Sequence, residues 1–121
     1  MIAGLGTDII EISRMVKALE NPRFIERVFT AAEQAYCSSR GAAAAASYAA
    51  RWAGKEAVLK AFGTGLREGK LSDIEILPDA LGCPRVTLQG HFRELAEERG
   101  YDQILISLSH AREYAVAQCI L

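Results

Sequence analysis

Glu56 and Lys60 lie one helical turn apart in the run Arg51-Trp52-Ala53-Gly54-Lys55-Glu56-Ala57-Val58-Leu59-Lys60-Ala61-Phe62-Gly63-Thr64-Gly65. That spacing sets a carboxylate beside an ammonium, and the glycines then stop the helix. At about 100° per residue, Tyr48, Trp52, Leu59 and Phe62 form one apolar stripe with Glu56 and Lys60 on its border. Such a pair is also an ordinary surface feature, contributing only about 0.2–0.5 kcal/mol. A second acid changes its meaning. Asp8 breaks the apolar strand pattern of Gly4-Leu5-Gly6-Thr7-Asp8-Ile9-Ile10-Glu11-Ile12. Magnesium takes oxygen ligands, usually one or two carboxylates, and completes its octahedron with water and phosphate oxygens. Asp8 and Glu56 meet that requirement as metal ligands, and Lys60 can set positive charge on the same phosphates. The amides near Gly63 and Gly65 can approach an anion without a β-carbon in the way. A helix C-terminus carries the negative dipole end, so the lysine must supply the attraction there.

Periodicity indicates the elements that must bring these groups together. Residues 2–8 alternate small and apolar as a strand does, and Ile12, Val16 and Leu19 then recur at helical spacing, which sets Asp8 at a strand-to-helix junction. Asn21-Pro22 offers an N-cap followed by proline at the first helical position. Thr30 and Glu33 read as a capping box. The alanines of residues 42–46 lead into the helix of Glu56 and Lys60, where plain helix propensity accounts for them. Beyond Gly65, Ile74 and Ile76 alternate with Asp73 and Glu75, a turn spans residues 78–84, and Val86 and Leu88 follow as the second arm of a hairpin. Phe92, Leu95 and Ala96 mark one face of a helix that ends at Gly100. Ile104, Ile106, Leu108 and His110 share one face of a strand. Residues 114–121 are almost continuously apolar, the pattern of a strand buried on both faces. These elements predict an α+β fold in one domain over residues 1–121, an antiparallel sheet with helices packed on it.

Half of the 121 residues are hydrophobic, the formal net charge is -1 and the pI is near 6.1. This is enough for one core, and it lacks the broad basic surface that nucleic acid requires. No apolar run reaches the roughly 18–20 residues that span a bilayer, and Met1 leads into strand-like sequence without a charged leader. The expectation is a cytoplasmic protein with neither a nucleic-acid nor a membrane partner. Cys37, Cys83 and Cys119 are odd in number and lack metal-ligand spacing, so they read as reduced structural thiols.

The segment from Gly4 to Ile12, residues 51–65, and Leu105-Ile106-Ser107-Leu108-Ser109-His110 resemble bacterial holo-[acyl-carrier-protein] synthases, which are 4′-phosphopantetheinyl transferases. Phe24-Ile25-Glu26-Arg27-Val28-Phe29-Thr30 and Gly82-Cys83-Pro84 extend the resemblance over the whole chain. It implies the 4′-phosphopantetheinyl transferase fold and a magnesium-dependent reaction in support of fatty acid biosynthesis. In that reaction a serine hydroxyl of apo acyl carrier protein attacks the β-phosphate of coenzyme A, giving holo acyl carrier protein and adenosine 3′,5′-bisphosphate.

Carried over by position, Asp8 and Glu56 resemble the magnesium ligands, and Lys60 the cation on the pyrophosphate; these three are the implied catalytic set. Lys60, Arg51, Gly63, Gly65 and His110 are the implied coenzyme A contacts, with Arg51 and His110 at the nucleotide end. Read from the residues alone, Arg51 fits a solvated surface charge equally well, and His110 a strand-end residue satisfied by backbone. Arg14, Arg23 and Arg27 fall where the family meets its acidic carrier protein, but Glu11, Glu20 and Glu26 are interleaved with them and ordinary surface charge accounts for them too. The resemblance further implies a homotrimer with active sites between subunits. Gly54, Trp52 and the alanine-rich approach depart from the usual alanine, phenylalanine and basic residues. Glu33, Asp8 and a metal-bound water remain open as the base. The competing reading is a module that binds coenzyme A or a nucleotide without turnover.

Overall fold

The computed structural model describes residues 1–121. Strand β1 (Leu5–Glu11) runs directly into helix α1 (Ile12–Ala18), and two further short helices follow, α2 (Pro22–Val28) and α3 (Ala31–Ser38). A 3-10 turn at Gly41–Ala43 opens the long helix α4 (Ala44–Phe62). A second such turn at Leu71–Asp73 precedes β2 (Ile74–Pro78), β3 (Pro84–Leu88), α5 (Gly90–Arg99), β4 (Leu105–His110) and β5 (Tyr114–Ile120). The strands are antiparallel throughout, in a three-stranded sheet of order β1-β5-β4 and a separate β2-β3 hairpin. The expected α+β architecture is therefore present, divided between two sheets.

The helix ends follow local chemistry. Asn21 Oδ1 accepts from the Arg23 amide at 3.0 Å with Pro22 at the first helical position. Thr30 Oγ1 accepts from the Glu33 amide at 3.1 Å, and Glu33 Oε1 accepts from the Thr30 amide at 2.9 Å, completing the capping box. Helix α4 stops where Gly63 takes the left-handed conformation at φ 78°.

Three expectations are corrected. The first strand begins at Leu5 and continues to Glu11, so Asp8 lies mid-strand opposite Ala117 and not at the junction. Pairing with β5 runs unbroken from Leu5 to Glu11, which holds the backbone extended beyond the acid. Helix α4 is not amphipathic. It is buried on nearly every side, with only Lys60 exposed beyond Ala46 and with Trp52 and Glu56 half-buried. Finally, β5 is covered on one face alone. Ala115, Ala117 and Cys119 pack under α4, while Tyr114 and Gln118 point outward and are exposed.

Small residues set how close the layers come. A Cβ at Gly6 would lie 1.9 Å from the Ala57 carbonyl oxygen and 2.8 Å from the Ala61 amide nitrogen, so β1 rests on the backbone of α4. A Cβ at Gly54 would meet Ile76 Cδ1 at 2.6 Å, which makes this glycine the point where α4 passes beneath the hairpin and not merely a weak helix former. The contact at Gly6 has a direct consequence for Asp8, two residues along the same face. Gly6→Ala must lift β1 from α4, at a cost of about 1–3 kcal/mol, and carry Asp8 away from the helix. Chemical denaturation should report the lost stability and calorimetry a weakened magnesium affinity. Wild-type values in both would mean that β1 is not seated as described.

Candidate active site

Asp8 projects from β1 on the side that faces α4, and Glu56 stands half-buried on that helix. Both line one cleft of about 470 Å³, walled by Arg14, Met15, Phe24 and Trp52. Burial raises the pKa of Glu56, the negative charge of Asp8 raises it further, and Lys60 opposes the shift. Lys60 Nζ donates to the Thr7 carbonyl at 2.9 Å and to Asp8 Oδ1 at 3.2 Å, with its side chain 55% exposed. The strand and the helix thus bring the acid, the second acid and the cation together from positions some fifty residues apart in sequence, as the separation of 52 between Lys60 and Asp8 records.

Two carboxylates that repel each other at the mouth of a cleft are suited to a divalent cation. No third His, Cys, Asp or Glu joins them in a metal-sized group. The donor set therefore matches a hard ion that keeps ligand positions for water and phosphate, and does not match a closed structural site.

Arg51 and His110 meet elsewhere. They line a second pocket with Tyr36, Arg40, Ser47 and Ser109, closed on one side by Pro78, Gly82 and Pro84 of the hairpin. Arg51 is not a solvated charge, being only 6% exposed. Its Nε donates to the Ile76 carbonyl at 3.2 Å, one Nη donates to Ser47 Oγ at 3.1 Å, and the guanidinium lies 4.6 Å from the Tyr36 ring centroid. His110 is exposed at the end of β4. Gly63 lies in neither pocket; it faces a third surface with Thr64, Arg67, Glu68 and His91. Gly65 is exposed two residues further on. Arg14 belongs to the cleft of Asp8, whereas Arg23 and Arg27 sit with Glu26 on the open surface of α2.

Glu33 is removed as a candidate base, because it is fully buried and engaged. Its Oε1 accepts from Lys55 Nζ at 2.8 Å as well as from the Thr30 amide, and its Oε2 accepts from the Ile76 amide at 2.8 Å. Lys55 in turn donates to the carbonyl of Leu71 at 2.9 Å and to that of Ile74. Burial lowers its pKa against the opposing pull of Glu33. Sequence reasoning missed this pair: it reads Glu33 as a capping residue and a candidate base, and it gives Lys55 no role. The thiols are all free. Burial raises the pKa of Cys37 and pushes that of Cys119 up to about 11, which disfavours the thiolate at both, while Cys83 is exposed on the hairpin turn.

Residues 4–119 match the family model of the 4′-phosphopantetheinyl transferase superfamily, and the chain belongs to that family. It is 52% identical over 120 residues to a holo-[acyl-carrier-protein] synthase of Ruminiclostridium cellulolyticum, an alignment covering 97% of this chain and 90% of the relative. The crystal structure of holo-[acyl-carrier-protein] synthase from Neisseria meningitidis superposes with a TM-score of 0.90 at 31% identity, covering 99% of this chain and 98% of the other. The Bacillus anthracis synthase, determined in complex with CoA (3′,5′-ADP), superposes with a TM-score of 0.82 at 35% identity, over 99% and 96% of the two chains.

Proposed function

We propose that this protein transfers the 4′-phosphopantetheine group of coenzyme A to a serine of apo acyl carrier protein, releasing adenosine 3′,5′-bisphosphate, in the cytoplasmic supply of holo carrier protein for fatty acid biosynthesis. The observation that carries this reading is the convergence of Asp8, Glu56 and Lys60 on one cleft. Asp8 and Glu56 would hold magnesium, which when bound neutralises pyrophosphate charge as the phosphorus–oxygen bond breaks. Lys60, half exposed and already paired with Asp8, can turn its ammonium to the phosphate oxygens of the leaving nucleotide. Glu33, sealed in the core, takes no part in removing the serine proton.

Arg51 and His110 suit the nucleotide end, since a guanidinium fixed by Ile76, Ser47 and Tyr36 loses little freedom on binding a phosphate. Their position also favours a homotrimer. Glu56 follows Arg51 by five residues, about 140° around the helix at 100° per residue. Asp8 and His110 stand on β1 and β4, the opposite edges of the sheet. One coenzyme A cannot occupy both pockets of a single chain without passing around the buried helix. Joining one subunit's Asp8 cleft to a neighbour's Arg51 pocket removes that difficulty. The outer sheet face supplies an apolar surface for such contacts, with Leu5 65%, Ile9 63%, Leu105 49% and Tyr114 47% exposed. Exposed Arg14, Arg23 and Arg27 would steer an acidic carrier protein.

The test is a mass measurement on apo acyl carrier protein incubated with this protein, coenzyme A and magnesium. A gain of one phosphopantetheine unit on a serine is expected. Binding of coenzyme A by calorimetry with no gain in mass would replace the enzyme by a binding module.

A further inference from the structure

Helix α4 delivers Lys60 and the glycine turn to the proposed pyrophosphate, and it does so with its negative pole foremost. The carbonyls of Lys60, Ala61 and Phe62 lie beyond the last hydrogen bond of the helix, which runs from the Gly63 amide to the Leu59 carbonyl. An anion approaching this end is repelled by them. The chain at Gly4 covers the Ala61 carbonyl so closely that a Cβ there would lie 2.2 Å from the oxygen. The Phe62 carbonyl instead receives a charged partner. Arg99 Nη1 donates to it at 2.8 Å, across 37 positions of sequence.

Arg99 is the last residue of α5, the helix on which the segment after α4 rests. Leu95, one turn earlier on α5, shares a surface with Gly63 and Thr64. Gly69 lies on Phe92 with no room for a side chain, since a Cβ there would meet the ring at 2.3 Å. The Phe62 ring packs against Phe92 and Tyr101 at centroid distances of 5.9 and 5.6 Å. The Arg99 guanidinium carbon lies 6.0 Å from the Tyr101 ring centroid, and no acid forms an ion pair with it. Its charge is therefore free to offset the negative helix end that its hydrogen bond caps. Lys60 is the cation that the sequence places here; Arg99 is a second, which only the fold brings.

We propose that Arg99 is a positioning residue: it fixes the last peptide of α4 and offsets the negative helix end, so that a pyrophosphate can settle beside Lys60 and the glycine turn. It acts through the Phe62 carbonyl, and the proposal rests on the use of coenzyme A argued above. Calorimetry with coenzyme A and magnesium on the wild type, Arg99→Gln and Arg99→Lys separates charge from packing. Glutamine keeps a donor and loses the charge, whereas lysine keeps both. At about 0.01 M salt, Arg99→Gln should bind coenzyme A about threefold more weakly, the scale of one charge at a helix end, and Arg99→Lys should stay close to wild type. Raising salt to about 0.15 M shortens the screening length from about 30 Å to about 8 Å and should draw the two variants together. In steady-state assays Arg99→Gln should raise the KM for coenzyme A more than it lowers kcat. Wild-type affinity in Arg99→Gln, a loss that Arg99→Lys shares in full, or a loss that salt does not diminish would each overturn the assignment. The carrier-protein mass assay on the wild type reports separately on the transferase reading: transfer by the wild type with unaltered binding in Arg99→Gln would sink the role of Arg99 alone.

Discussion

Glu56→Gln should abolish phosphopantetheine transfer, by a factor of about a thousand or more, while the metal-free protein stays folded. Glutamine retains the size and one oxygen of glutamate but lacks the charge that would bind a hard cation beside Asp8. The electrostatics sharpen the prediction. Burial and the charge of Asp8 raise the pKa of Glu56 in the fold. A carboxyl whose folded pKa exceeds its unfolded value costs no stability while protonated, and it costs increasingly as pH rises through the folded value. Without magnesium, the variant and the wild type should therefore melt together in acid, and the variant should gain relative to the wild type toward neutral pH. Added magnesium should raise the wild-type melting temperature at neutral pH and leave that of the variant in place. Near wild-type transfer by the variant, or a wild type whose melting ignores magnesium, would take Glu56 out of the metal site.

What could be read from the sequence was mainly what neighbouring residues decide between themselves. Asn21 with Pro22, Thr30 with Glu33, and the glycines that end α4 and α5 satisfy backbone groups within a few positions, so their chemistry is visible in order along the chain. The grouping of Asp8 with Glu56 and Lys60 followed from their residue types and was repeated by the family resemblance, but how they meet was not legible. Physically it depends on Gly6 lying against the Ala57 carbonyl, a contact between distant segments that no local rule reveals. The environment of α4 was misread for a related reason. Alanines at positions 49, 50, 53, 57 and 61 are all buried, yet they add little to an apolar stripe drawn through Tyr48, Trp52, Leu59 and Phe62. Arg51 therefore passed as a candidate surface charge, and Lys55 drew no notice. In β5, apolar residues on both faces suggested burial on both, whereas Ala115, Ala117 and Cys119 face the core and Val116 and Ile120 face outward. That second apolar face is a surface the proposed trimer would cover.

Lys55→Ala should destabilise the fold by about 3–5 kcal/mol, the range for removing one partner of a buried ion pair. The loss has several parts. Lys55 and Glu33 are both 0% exposed, so truncation strands a carboxylate with no solvent to take over. The carbonyls of Leu71 and Ile74 lose their shared donor at the entry to β2. Glu33 also holds the Ile76 amide, and Thr30 Oγ1 donates to Glu75 at 2.7 Å, so one polar cluster ties α3 and α4 to the hairpin. That hairpin contributes Pro78, Gly82 and Pro84 to the pocket of Arg51, and the Ile76 carbonyl accepts from Arg51 itself. The damage should therefore extend to nucleotide binding, although Lys55 lines neither pocket. Replacing both members, as Lys55→Met with Glu33→Gln, leaves no buried charge and should restore part of the stability. Urea denaturation of the two single variants and the double variant measures the coupling. A Lys55→Ala protein within about 1 kcal/mol of wild type would show that the ammonium is dispensable, and that the packing of α4 alone keeps the hairpin in place.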